Sequence, residues 1–80
     1  MRYLDKSAIH AQAVIILRNS KNGMKRTASR LAACNVDKQI DDILSKIKAD
    51  AWSLDDQTIV HGCAQRLVME FCQAEINLQK

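Results

Sequence analysis

The sequence predicts an all-α fold, a small bundle of about four helices ending in a long C-terminal one, over a single domain of residues 1–80. Three observations predict it. The 80 residues contain no proline and only two glycines, so little in the composition opposes long helices. Apolar residues recur at spacings of three and four rather than two. Capping residues stand at the boundaries where that periodicity breaks.

The first helix is expected over about Asp5 to Lys21. Ile9, Ala13 and Ile16 fall on one side of it and Ala11, Val14 and Ile15 on others, which predicts a helix buried all round. The β-branched run Val14-Ile15-Ile16 would also suit a strand, but it does not alternate and has no strand candidate nearby to pair with. Asn22-Gly23 is expected to close this helix, with Gly23 as the left-handed residue just past its end.

The second helix, about Lys25 to Cys34, shows only Ala28, Leu31 and Ala32 as an inward stripe. Asn35 or Asp37 can cap the third. There Val36, Ile40, Ile43, Leu44, Ile47 and Ala51 follow spacings that gather them within about 100° of arc, one buried face. Lys38, Asp42 and Lys46 lie four apart on its outer side, where alternating charges contribute about 0.3 kcal/mol per pair.

Ser53-Leu54-Asp55-Asp56 matches the S-x-x-D capping pattern and opens the last helix, which then runs to Leu78. Such a rod, at about 1.5 Å per residue, is as long as a domain of this size. Val60, Ala64, Leu67, Phe71, Ala74 and Leu78 form a heptad seam along it, broadened by Cys63, Val68, Cys72 and Ile76. A face that wide needs two neighbours: helices one and three, or a second copy of the chain. Val60, Leu67, Phe71 and Leu78 are accordingly the candidate self-association residues of a homodimer. A lone core of this size is usually worth only about 3–5 kcal/mol, so help from a second copy or a partner is expected.

The hydrophobic fraction of 48% and charged fraction of 26% belong to a folded chain and not to a disordered one. The longest apolar run, Ala13 to Leu17, is far too short to span a bilayer, and the N-terminus lacks a signal peptide's layout. A cytoplasmic protein with no membrane partner is expected. Its three cysteines then read as thiols.

Several chemistries find no support. Cys63 and Cys72 lie nine residues apart on opposite flanks of the last helix, His61 and Cys63 diverge as well, and no C-x-x-C or H-x-x-x-H pair exists, so neither a metal site nor a cofactor is expected. His10, on the apolar first helix, reads as a core histidine satisfied by one hydrogen bond. No Ser or Cys stands in a recognisable relation to a His and an orienting group. Asp41, Asp42, Asp55 and Asp56 read as solubilising charges and helix-dipole partners. The chain is not expected to be an enzyme.

Charge is the main functional clue. Residues 1–36 hold seven Lys/Arg against Asp5 alone, net +6, and residues 37–80 hold five Lys/Arg against eight acids, net −3. The first explanation is that the two halves attract each other, within one chain or between two. The second is an external partner for Arg18, Lys21, Lys25, Arg26 and Arg30, five basic residues in a stretch without an acid. Thr27-Ala28-Ser29-Arg30-Leu31-Ala32 is similar to the wording of some helix-turn-helix proteins, which implies DNA binding. Yet Val36 arrives one residue early for that register, the turn has no glycine, and the reading helix would present Asp37, Asp41 and Asp42 to DNA. With one Tyr, one Trp and one Phe, a stacking platform for single strands is missing too.

Two oddities remain on the last helix. Glu75 falls inside its apolar sector, where fraying of the helix end is the first expectation and an ion pair with an arginine of the basic half the other. Gly62 and Met69 share the polar side. A mid-helix glycine costs about 1 kcal/mol relative to alanine, which suggests a second contact face. The reading is a small helical binding module, a regulator, adaptor or inhibitor that occupies a protein partner. A nucleic-acid-binding regulator using residues 18–30 is the alternative.

Overall fold

A computed structural model describes residues 4–20 and 24–78. They form four α-helices, α1 (Lys6–Arg18), α2 (Lys25–Ala33), α3 (Asp37–Ser45) and α4 (Asp56–Leu78), with a short 3-10 helix, Ala49–Ser53, between the last two. No strand occurs among the described residues, and no helix is long and apolar enough to cross a membrane.

Asp5 caps α1, its Oδ1 accepting from the Ser7 N–H at 2.9 Å. The helix ends at Arg18, short of the expected Lys21, and the expected turn at Gly23 lies outside the described residues. Ile9, Ala13, Val14 and Leu17 are buried, but Ile15 is 46% exposed and Ala11 faces solvent. The prediction of all-round burial is therefore too strong. In so short a chain α1 packs most extensively on α4 and α2 and touches α3, and these neighbours leave its back uncovered. The expected hydrogen bond of His10 is present: its Nε2 donates to the Leu31 carbonyl at 2.7 Å, tying α1 to α2.

The third helix stops earlier than predicted. Val36, Ile40 and Ile43 are buried and Leu44 and Ile47 pack against them, but α3 ends at Ser45. The Ser45 hydroxyl donates to the Asp42 carbonyl at 2.7 Å, a local bond that competes with helix continuation. Lys48 is extended, and the 3-10 helix that follows holds Ala51 half-buried. Burial keeps its expected order after the helical backbone has gone. At the start of α3, Asn35 is the residue that supplies an oxygen, Oδ1 to the Asp37 N–H at 3.1 Å.

The cap of α4 also differs from the S-x-x-D reading. Asp55 caps it, through Oδ1 to the Thr58 N–H at 2.7 Å, because the 3-10 helix extends through Ser53 and the first turn of α4 opens two residues later, with the Ile59 N–H on the Asp55 carbonyl. The 23 residues of α4 make a rod of about 35 Å, which matches the long dimension of the molecule, 37 Å.

The seam of α4 is covered from within the chain as far as Phe71, and its last members, Ala74 and Leu78, are exposed. Ile59, Cys63, Ala64 and Leu67 are buried with residues of α1, α2 and α3 in one cluster. Val60 and Phe71 are half-buried against that cluster. Of the seam residues expected to mediate self-association, Leu67 keeps 1% of its surface and Leu78 86%. Leu67 is thus a core residue and has no surface to offer a second copy.

Candidate partner-binding surface

Arg18 closes α1, and Lys25 and Arg26 open α2. All three are exposed, and among the described residues no ion pair engages them. Lys21 lies outside the described residues. Arg30 is different. Its Nη2 lies 2.8 Å from Glu75 Oε2 and its Nε donates to Oε1 at 3.1 Å, a two-pronged contact between α2 and α4. Fraying at Glu75 is thereby replaced by the ion pair that was the other expectation, and Glu75 is half-buried because it is paired.

Acids elsewhere are similarly occupied. Asp5 and Asp55 cap helices, Asp41 meets Lys6 at 2.8 Å, Asp42 meets Lys46 at 3.0 Å, and Glu70 meets Arg66 at 2.8 Å. With Glu75, at least six of the nine acids are held inside the chain. Lys6–Asp41 and Arg30–Glu75 join the basic half to the acidic half, so attraction between the halves is real but local. It does not reach Arg18, Lys25 or Arg26.

The start of α2 adds to this imbalance. Met24 precedes it without any side-chain cap, and its first turn holds no acid. Lys25 and Arg26 therefore sit at the positive end of the helix dipole, where a cation is unfavourable by about 0.3–1 kcal/mol. An anionic surface laid there would relieve that cost.

Glu75 keeps 21% of its side-chain surface and Arg30 46%, so the pair is screened by water and is worth about 1 kcal/mol at most. A double-mutant cycle with Arg30→Ala and Glu75→Ala should return a coupling of about 0.5–1 kcal/mol that shrinks as salt is added. A coupling unchanged by salt would mean that packing, not charge, joins the two side chains.

All three cysteines are free thiols: Cys34 exposed, Cys72 intermediate and Cys63 buried. Burial pushes the Cys63 thiol upward. Cys72 is raised by burial and, in second place, by the negative charge of Glu75. An alkylating reagent should therefore modify Cys34 first and Cys63 last. The same shifts carry a pH dependence. Above the ordinary thiol value of 9.0 the unfolded chain has lost protons that the folded chain retains, so stability is complete below that pH and declines as the pH rises through the raised values. Melting followed across that window should show the decline, and it should be shallower for Cys63→Ala.

No family model, curated protein or solved structure matches this chain. Besides the basic end there is one feature that the periodicity did not reveal, a groove of about 500 Å³ between α3, the 3-10 helix and α4, with Ile43, Ile47, Leu54, Ile59 and Gly62 along its walls. The only hint in the sequence was Gly62 itself. Among the described residues no group of three His, Cys, Asp or Glu side chains could hold a metal ion.

Proposed function

We propose that the protein is a non-enzymatic, self-associating helical module that regulates, adapts or inhibits by occupying a protein partner with an acidic surface. The carrying observation is the uneven use of charge. Most acids are consumed by caps and ion pairs within the chain, whereas Arg18, Lys25 and Arg26, where α1 ends and α2 begins, meet no acid among the described residues. A second copy has few unpaired acids to offer them, so their partner is a different molecule. The early arrival of Val36 and the absence of a glycine from the turn break the helix-turn-helix register, which favours a protein over a duplex.

The test uses defined probes. A labelled Glu/Asp-rich peptide should bind the wild-type chain and lose at least tenfold in affinity with Lys25→Glu/Arg26→Glu, while plain duplex DNA at moderate salt should not shift. A duplex shift that disappears in the double variant would establish the nucleic-acid alternative instead.

A further inference from the structure

We infer that the outer face of α4 is the self-association surface and that its occupant is a second, antiparallel copy of α4. The inference rests on the self-associating part of the reading above and is independent of the basic end. Thr58, Gly62, Gln65, Met69, Cys72 and Ile76 are separated by four, three, four, three and four residues, a second heptad stripe that is exposed except at Cys72, which packs against the edge of the core. Two of the large apolar side chains that remain exposed lie on it, Met69 at 65% and Ile76 at 52%.

Gly62 is unexplained by its own chain. Apart from its neighbours in the chain and the backbone of its own helix, no atom lies within 4 Å of where its Cβ would be, and its backbone is not in the left-handed region that favours glycine. It leaves a notch in the groove wall beside Ile47, Leu54 and Ile59. Gly62 and Ile76 lie seven residues to either side of Met69, about 10 Å along the helix. A two-fold axis at Met69 therefore brings Ile76 of each copy onto Gly62 of the other, a projecting side chain over a notch, with Met69 against its own copy. This is the self-complementarity that a closed dimer requires.

Charge agrees with that arrangement. Arg66 and Glu70 already pair within one chain at 2.8 Å. Antiparallel packing sets Arg66 on the same side as Glu70 of the second copy, offset by about 3 Å along the axis, so the two pairs alternate in sign across the interface. With the axis at Met69 the overlap runs from Val60 to Leu78 of each copy, about 27 Å long and about 15 Å wide, which buries about 400 Å² per copy and about 800 Å² in total, the size of a weak, transient interface. The dimer is accordingly reversible.

Sedimentation equilibrium over tens to hundreds of micromolar tests the proposal, with circular dichroism melts on each variant. The wild-type chain should reach dimer, and Met69→Glu should weaken association at least tenfold. Gly62→Leu should do the same while raising the Tm of the isolated chain by about 4–8 °C, because the notch is open and leucine is the better helix former. Ile15→Glu, on another exposed apolar position, should leave association unchanged. With Cys34 and Cys72 replaced by serine, nitroxide labels at Asn77→Cys should lie about 24 Å apart along the axis. Labels close together would mean a parallel dimer and overturn the arrangement. A dimer indifferent to both Met69→Glu and Gly62→Leu would overturn this face while leaving self-association standing. A wild-type chain that stays monomeric throughout would overturn both.

Discussion

Leu67→Asp should leave the chain without a folded state at 25 °C. Leu67 retains 1% of its surface, in a cluster with Ile9, Leu17, Leu31 and Ile40, and among the described residues no buried polar or charged group accompanies it. A carboxylate there loses the packing of leucine, about 2–5 kcal/mol as judged by truncation to alanine, and also carries an unpaired charge out of water. A core of this size is worth about 3–5 kcal/mol in total, so the sum exceeds what is available. Circular dichroism should show loss of the helical minima even at high protein concentration. A variant that keeps its helix content and merely dissociates would show that Leu67 faces a second copy, contrary to the core described above.

Lys25→Glu/Arg26→Glu should produce the opposite combination, a chain that folds at least as well and no longer binds its acidic partner. Both positions are exposed, and no cap bond at Met24 is disturbed because none exists. Exchanging cations for acids in the first turn of α2 should gain about 0.3–1 kcal/mol per position from the helix dipole, a rise of several degrees in Tm. Affinity should fall because attraction becomes repulsion across the contact. Arg30 is the wrong choice for this experiment, since Arg30→Glu would set a carboxylate against Glu75 and mix a stability loss with a binding loss. If Lys25→Glu/Arg26→Glu lowers stability instead, the basic end neutralises the chain's own acids and needs no external partner.

Periodicity and capping chemistry made most of the fold legible. The stripe Val36, Ile40, Ile43 ran true because each residue is placed by local helical geometry, and Asp5 announces α1 through a bond two residues away. The points that escaped are those decided by distant residues or by competition between neighbours. Ser45 ends α3 with a side-chain bond that spacing cannot reveal, and Asp55 displaces Ser53 as a cap because the 3-10 helix extends through Ser53. Glu75 finds Arg30 forty-five residues away, so its environment cannot be read from α4 alone. The seam through Leu67 was correct as an apolar face, but a one-dimensional pattern does not distinguish a neighbour in the same chain from one in another.

The candidate surfaces show the same division. Arg18, Lys25 and Arg26 were visible as cations, while their distinction from Arg30 required knowing which acids are occupied. Gly62 was visible as an anomaly, but the groove it opens onto is built by α3 and the 3-10 helix, and no spacing rule brings those beside it.

The salt dependence and composition of what binds the basic end decide between an acidic protein partner and a nucleic acid. Wild-type chain and Lys25→Glu/Arg26→Glu would be titrated, across a range of salt, with the acidic peptide and with duplex DNA of unrelated sequences. The expected result is peptide binding that the double variant abolishes, with no measurable duplex complex at moderate salt. A duplex complex indifferent to sequence, with log K falling against log salt at a slope near about −2.7 for three phosphate contacts, would contradict it and assign Arg18, Lys25 and Arg26 to a nucleic-acid backbone.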